Sequence, residues 1–190
     1  ENEQPSMKPL EKKILSDFGV KRFVVCTDAG LSSAPNRILN NTADRRLVTT
    51  QSIKKLKGFL KDFCLSDEGW HLSGSPGSFK LSELDVNDHY DKTFYKDRWI
   101  KEDGLEQHLI VTFSFKYRDY QRTILSREFE RAAKLADNPS SLKKSRQNDP
   151  RRFVRQDHCT SDGEAADKMI TSIDEDVVRE EERYDGFYAV

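Results

Sequence analysis

The feature that most constrains the fold of this 190-residue chain is a short apolar run, Phe23–Cys26, which leads directly into Thr-Asp-Ala-Gly. A continuous apolar run of this length that ends at a turn is typical of a strand buried on both faces. A helix start follows near Pro35, and Arg46–Thr50 has the composition of another strand. Strand, helix and strand in this order predict a parallel βαβ unit, with Asp28 at the carboxyl end of its first strand.

Two amphipathic helices are predicted outside this unit. The first carries Leu10, Ile14 and Phe18 at helical spacing and is expected to end at Gly19. The second covers residues 120–137, and its basic residues lie on faces other than the apolar one. The apolar stripe of the second helix consists of Leu125, Phe129, Ala132 and Ala136.

The region that begins at about residue 56 has a different texture, because its segments are charged, aromatic and interrupted by glycine turns. Residues 93–100 and 109–115 are predicted to form antiparallel strands. Residues 140–158 are basic and are expected to be mobile. The last predicted elements are an acidic helix that begins near Asp174 and a strand over residues 187–190.

Composition excludes several classes of function. The net charge is −1, so the chain lacks a global basic excess, and any DNA-binding surface must be a local patch. Three scattered cysteines are too few for a disulfide framework. No apolar run approaches the roughly 20 residues that span a bilayer, and no signal-peptide pattern is present. A cytoplasmic protein without a membrane partner is therefore expected.

Asp28 is the residue most typical of a functional site, because open α/β sheets place ligands and catalytic groups just beyond the carboxyl ends of their strands. The local pattern leaves two interpretations open. Asp28 is either a site residue or a loop cap that accepts hydrogen bonds from the amides of Gly30 and Leu31. Two-metal phosphodiester chemistry needs several converging carboxylates, and the local pattern offers Asp28 no convincing partner.

Other chemically versatile residues do not form recognised patterns. The four histidines stand far apart, and none is paired with a Cys or His at metal-ligand spacing. No glycine-rich phosphate-binding motif is present, so no nucleotide cofactor is expected. Basic residues interleaved with aromatics occur at Lys54, Lys55 and Lys57 and over residues 116–122. Such patches bind phosphates and stack on bases, but solubilising charges over a half-buried sheet explain them equally well.

Several segments, in order along the chain, resemble bacterial insertion-sequence transposases of the DDE type. Phe23–Ser33, followed by Asn36, is similar to the motif around the second catalytic aspartate of that family. The other similar segments are Thr49–Lys57, Ile110–Tyr117, Tyr120–Arg122 with Glu130–Ala132, and Tyr184–Val190. The resemblance runs from about residue 9 to the end of the chain, and the shared order makes coincidence a poor explanation.

The resemblance implies an α/β fold in two parts. Residues 1–55 would form part of a ribonuclease H-like catalytic core, and residues 56–190 a mostly β, α+β insertion subdomain. Asp28 would be the second aspartate, and therefore both a catalytic residue and a metal ligand. In this family two aspartates and a glutamate hold two Mg²⁺ ions, which activate water and then a 3′-hydroxyl for attack at phosphorus.

The resemblance places the remaining carboxylates outside this sequence. The first aspartate is expected upstream of residue 1 and the glutamate beyond residue 190, so the chain is interpreted as an internal segment that is inactive alone. Glu175 and Glu181 are not candidates to replace that glutamate. The parent protein is expected to be a DNA transposase that cuts and joins transposon ends. The alternative is a non-catalytic DNA- or protein-binding remnant of a decayed transposase.

The implied partners are transposon-end DNA, target DNA and a second copy in a dimeric synaptic complex, at the bacterial nucleoid. The candidate DNA contacts are Lys54, Lys55, Lys57, Lys116 and Arg118. Trp70 and Trp99 are weaker candidates for stacking on a base, because a tryptophan in a strand is more often part of the core.

Overall fold

The computed structural model describes residues 4–136, 149–159 and 165–190, and shows a mixed α/β protein. Its contacts divide the chain into two units. The first comprises Glu1–Phe113 and Phe187–Val190, and the second comprises Ser114–Gly186. The predicted boundary between residues 55 and 56 is based on the change of sequence texture and on the family resemblance, and it stays a prediction.

The predicted βαβ unit is present in the first unit. Strand β1 (Phe23–Thr27) pairs in parallel with β2 (Arg45–Thr49), and helix α2 (Ala34–Leu39) connects them. The prediction that β1 is buried on both faces is wrong, because its residues alternate between half-buried and exposed and Val24 is 59% exposed. In the described part of the chain, only one face of this two-stranded sheet is shielded from solvent. The apolar run is therefore not buried on both sides.

Helix α1 (Met7–Phe18) confirms the first predicted helix, but its burial pattern differs from the expected one. Gly19 ends the helix in the left-handed region at φ +61°, and its N–H donates to the carbonyl oxygen of Leu15. The helix buries Met7 and Glu11, whereas the apolar stripe is exposed. The side-chain amide of Asn40 donates to the carboxylate of Glu11 at 2.8 Å, so a buried polar contact holds α1 to the end of α2.

The second sheet of the first unit is antiparallel and consists of β3 (His71–Leu72), β4 (Phe94–Glu102), β5 (Leu105–Phe113) and β8 (Phe187–Ala189). The strands lie in the order β3-β4-β5-β8, and the long central strands confirm the predicted pair. Two helices, α3 (Gly58–Leu65) and α4 (Val86–His89), precede the central strands in the chain. The predicted final strand is thus confirmed as β8, which pairs with the end of β5.

The core of this unit is aromatic. Trp70 is fully buried, and its ring packs against Phe113 and Phe187 at centroid distances of 6.2 and 5.7 Å. The indole N–H donates to the carbonyl oxygen of Ser66 at 2.9 Å, which satisfies the one polar group of this side chain. Phe94 is also fully buried, so the sheet is held by rings from strands that are distant in sequence.

The turn between β4 and β5 is a two-residue connection made by Asp103 and Gly104. Both residues have positive φ, at +51° and +76°, as the type I′ hairpin turn requires. Arg37 of α2 contacts this turn, with its guanidinium 2.6 Å from the carboxylate of Asp103 and 3.0 Å from the side-chain oxygen of Gln107. The helix of the βαβ unit is therefore tied to the tip of the β-hairpin.

The second unit consists of helix α5, a two-stranded antiparallel sheet and helix α6. The bounds are α5 (Phe115–Ala136), β6 (Val154–Cys159), β7 (Ala165–Ile173) and α6 (Glu175–Glu182). Phe153 is fully buried and makes an edge-on contact with Phe129 of α5 at 4.7 Å. Asp174 accepts hydrogen bonds from two amides of the first turn of α6, which confirms the predicted acidic helix and its start.

Two predictions in this unit are wrong in part. The strand predicted over residues 109–115 ends at Phe113, and α5 begins at Phe115 rather than near Tyr120, because Ser114 caps the helix by accepting from the amide of Tyr117. The expected mobile stretch over residues 140–158 contains a 3-10 turn (Pro150–Phe153) and strand β6. Residues 140–148 of that stretch, and the predicted helix end at residue 137, lie outside the described residues.

The two ends of the second unit meet. The amide of Ser114 donates to the carbonyl oxygen of Gly186 at 3.1 Å, and the side-chain oxygen of Gln121 accepts from the amide of Gly186 at 2.6 Å. Arg122 also pairs with the buried carboxylate of Asp185 at 3.1 Å.

Within the described ranges, no helix combines the length and the apolar composition needed to cross a membrane.

Candidate functional site

Asp28 follows β1 directly and lies at the carboxyl edge of the parallel pair. The register of the two strands places Thr27 opposite Thr49, so Asp28 stands just beyond the end of both. Its side chain is exposed. The predicted position of this carboxylate at the end of a strand, where open α/β sheets place functional groups, is therefore the observed one.

The carboxylate of Asp28 also caps the loop. Its Oδ1 accepts from the amide of Gly30 at 2.8 Å, and its main-chain carbonyl accepts from the amide of Leu31 at 3.3 Å. A Cβ added to Gly30 would lie 2.9 Å from this Oδ1, so a larger residue at position 30 would force the Asp28 carboxylate to shift. The loop-cap interpretation thus describes a contact that exists, and a cap and a site residue are compatible roles for one exposed carboxylate.

The surrounding side chains fix the loop in place. The hydroxyl of Thr49 donates to the carbonyl oxygen of Asp28 at 3.0 Å, which ties the loop to the neighbouring strand. The side chain of Asn36, which is buried, donates to the carbonyl oxygen of Leu31 at 3.0 Å. Thr49, Asp28 and Asn36 therefore all have structural roles around one short loop.

Asp28 alone does not make a metal centre. Mg²⁺ takes six oxygen ligands and is held in proteins by carboxylates that converge on it. Across residues 4–136, 149–159 and 165–190, no group of three or more His, Cys, Asp or Glu side chains is arranged to hold an ion. These residues by themselves do not fit a two-metal centre.

The first group of predicted DNA contacts lies in one short segment after β2. Lys54 and Lys55 are in a 3-10 turn, and Lys57 is the residue that precedes α3. All three side chains are exposed, while Ile53, which precedes them, and Leu56, which lies between Lys55 and Lys57, are buried. The apolar residues anchor the segment, and its lysines are left facing solvent.

The second group lies on α5, in the other unit. Lys116 is exposed, whereas Arg118 is half-buried and contacts both the Asp119 carboxylate, at 3.3 Å, and the ring of Phe115, at 4.8 Å. Lys116 and Arg118 are two residues apart on a helix and therefore point in different directions. The structure does not place them on a common surface.

The two tryptophans have opposite environments. Trp70 is a core residue, as expected of a tryptophan in a β-rich region, and is not accessible to a ligand. Trp99 is 63% exposed and stacks on His108 at 4.7 Å, so the same expectation is wrong for it. Trp99 projects from the exposed side of β4, where a strand of alternating burial places every second residue.

The basic residues of α5 were predicted to lie away from its apolar stripe, but a single basic face was not predicted. Three of its cations, Arg127, Arg131 and Lys134, are exposed and lie at spacings of four and three residues. The signal was present in that spacing, because residues three and four apart share a face of a helix.

Comparison with known proteins adds no relative: no family model, no curated protein and no solved structure matches the chain.

Proposed function

We propose that this chain carries the second catalytic aspartate of a DDE-type DNA transposase, and that the aspartate is Asp28. The observation that carries the proposal is the exposed carboxylate just beyond the first strand of a parallel βαβ unit. The ordered series of similar segments supports it as well. The fold proposed for residues 1–55 is then part of a ribonuclease H-like core, and residues 56–190 are its insertion.

The metal chemistry of this proposal is incomplete in these residues. Bound Mg²⁺ would supply Lewis acidity at the phosphodiester, and Asp28 would contribute one ligand. The remaining carboxylates are assigned to other parts of the full-length protein. The 190-residue chain is accordingly proposed to be inactive by itself.

The proposed partners are transposon-end and target DNA, in a dimeric complex at the nucleoid. The exposed lysines Lys54, Lys55 and Lys57 support a DNA-contacting segment next to the Asp28 loop in sequence. Lys116 is a weaker member of this set and Arg118 the weakest, because the guanidinium of Arg118 is occupied by a neighbouring carboxylate and ring.

One observation favours a second candidate function. The hydrogen bond from the Gly30 amide to Asp28 gives this carboxylate a structural role that needs no metal. A non-catalytic DNA- or protein-binding module derived from a transposase would keep that bond for the sake of the loop. The two candidates differ in whether the negative charge of Asp28 is needed.

The test is strand nicking by the full-length protein on its own end sequence in Mg²⁺. Asp28→Asn retains an oxygen that accepts from the Gly30 amide but loses the charge that a metal ion requires. Asp44→Asn is the matched control, because Asp44 is also exposed and precedes β2 at the opposite edge of the same sheet. We expect nicking by wild type and Asp44→Asn, and none by Asp28→Asn, with DNA binding equal in all three.

Equal nicking by Asp28→Asn and wild type would show that Asp28 is only a loop cap. In that case Asp28→Ala, which removes the acceptor, should lower stability by about 1 kcal/mol without a specific loss of chemistry. Absence of nicking by all three proteins, with DNA binding intact, would favour the non-catalytic module.

A further inference from the structure

We propose that one exposed face of α5 is a binding surface for double-stranded DNA. The face, called here the α5 basic face, consists of Lys116, Tyr120, Ile124, Arg127, Arg131 and Lys134. The inference deepens the proposed function, on which the choice of DNA as the partner rests. It concerns binding by the second unit and not the chemistry at Asp28.

The geometry of a regular helix brings these residues together. At about 100° per residue, all six lie within an arc of about 80° on the helix surface. The opposite side of the helix carries the buried Ala132 and the half-buried Leu125 and Phe129, and it packs against Phe153 and its neighbours. The α5 basic face is therefore exposed to solvent, while the opposite side of the helix packs against the rest of the second unit.

Three cations of this face, Arg127, Arg131 and Lys134, are not engaged by the acidic residues of α5. In the described part of the chain, no carboxylate forms an ion pair with Arg127, Arg131 or Lys134. Glu130 lies next to the face, at spacings of three and four residues from Arg127 and Lys134 that permit ion pairs, yet it makes neither. By contrast, Arg179 of α6 is exposed and paired with acidic residues of its own helix.

The dimensions and chemistry of the face fit a polyphosphate duplex. Lys116 and Lys134 are about 27 Å apart along the helix axis, which is about three quarters of one turn of B-DNA. Tyr120 is 61% exposed and Ile124 is 40% exposed, which adds a hydroxyl donor and apolar contact between the cations. A single helix with cations along one side is of the size that the major groove admits. An acidic protein surface is the competing partner and is an outcome of the test.

The experiment measures binding of the 190-residue chain to a fluorescently labelled 30-base-pair duplex at several salt concentrations. Arg127→Gln/Arg131→Gln removes two cations from the α5 basic face. Arg179→Gln/Arg183→Gln removes two exposed cations, one in α6 and one directly after it, from the same unit and is the matched control. Circular dichroism of each variant establishes that the helices are retained.

We expect the α5 variant to lose affinity by about tenfold or more at low salt, and its salt slope to fall by about 2, because each phosphate contact contributes about 0.9 to that slope. The α6 variant should bind like wild type. Equal losses in both variants would overturn the proposal, since binding would then follow total charge. Binding to polyglutamate but not to DNA would overturn it in favour of an acidic protein partner.

The outcome is distinguishable from that of the proposed function. If Asp28→Asn nicks normally while the α5 variant loses DNA binding, the catalytic proposal fails and the surface stands. If Asp28→Asn is inactive while the α5 variant binds like wild type, this inference fails and the catalytic proposal stands.

Discussion

Lys96 is buried, whereas lysine side chains are almost always exposed to solvent. Its side chain is buried in the first unit, with Nζ 2.9 Å from the carbonyl oxygen and 2.8 Å from the hydroxyl of Ser66. The ammonium also lies 4.2 Å from the centre of the Trp70 ring. Burial lowers the pKa of Lys96 to about 8, while the nearby Cys64 and Asp67 act in the opposite direction.

Cys64 lies close to this lysine and responds to burial in the opposite sense. Its thiol is fully buried, and burial raises its pKa to about 11. Burial disfavours the charged form of both groups. The folded chain therefore releases the lysine proton at lower pH than the unfolded chain does, and it releases the thiol proton at higher pH. The pH dependence of stability therefore contains two opposing contributions from one small region.

The first prediction at the residue scale concerns stability between pH 8 and 11. Between about pH 8 and 10.5 the unfolded chain binds the Lys96 proton and the folded chain releases it, so stability rises with pH. Between pH 9.0 and about 11 the folded chain keeps the Cys64 proton that the unfolded chain releases, so stability falls with pH. Urea unfolding of wild type should show a rise from pH 8 that stops near pH 9.

Two variants separate these contributions. Cys64→Ala should extend the rise in stability to about pH 10.5, because only the lysine contribution remains. Lys96→Met should abolish the rise between pH 8 and 9, and its stability at pH 7 should equal or exceed that of wild type. A rise that persists in Lys96→Met would show that another group titrates.

At the scale of elements, the β4–β5 hairpin depends on its two-residue turn. Gly104 has a φ of +76°, where a side chain costs about 1–2 kcal/mol. Gly104→Ala should therefore lower the free energy of unfolding by about that amount in urea titrations. Gly58→Ala, at the start of α3 with no positive φ and no atom within 4 Å of an added Cβ, should be neutral or slightly stabilising. Equal effects of the two changes would contradict the turn assignment.

The elements differ in how far the sequence predicts them. Helix α1 ends at Gly19 and the long hairpin turns at Asp103-Gly104, because in both cases a local backbone requirement selects the residue. Burial was harder to predict, since Val24 is exposed although it sits in an apolar run. Burial depends on which layers cover a strand, and those layers are distant in sequence.

In the candidate site, too, some features follow from the local sequence and others depend on how distant parts of the chain pack together. The position of Asp28 at the end of a strand follows from local pattern, and the structure has it there. Whether a carboxylate at that point binds metal depends on other carboxylates brought near it by the fold, which no local pattern encodes. The α5 basic face was within reach of sequence reasoning, because Arg127, Arg131 and Lys134 need only the helical period to share a side.

At the scale of the whole molecule, the second unit is inserted between two residues that face each other in the first. Phe113 at the end of β5 and Phe187 at the start of β8 are direct antiparallel partners. The ends of the insertion, Ser114 and Gly186, are joined by a hydrogen bond. The insertion thus leaves and returns at one point of the antiparallel sheet.

This arrangement predicts that the first unit folds without the second. Replacing residues 114–186 by Asn-Gly would join Phe113 to Phe187 through a two-residue type I′ turn, the connection that suits directly paired antiparallel residues.

Because Trp70 packs against both phenylalanines, its fluorescence and near-ultraviolet circular dichroism should match those of the full chain. Urea should unfold the shortened chain in one cooperative transition. If Trp70 is solvent-exposed and unfolding is not cooperative, the second unit is required for the core. The shortened chain should also have lost the DNA affinity of the α5 basic face, because that face lies wholly within the removed residues.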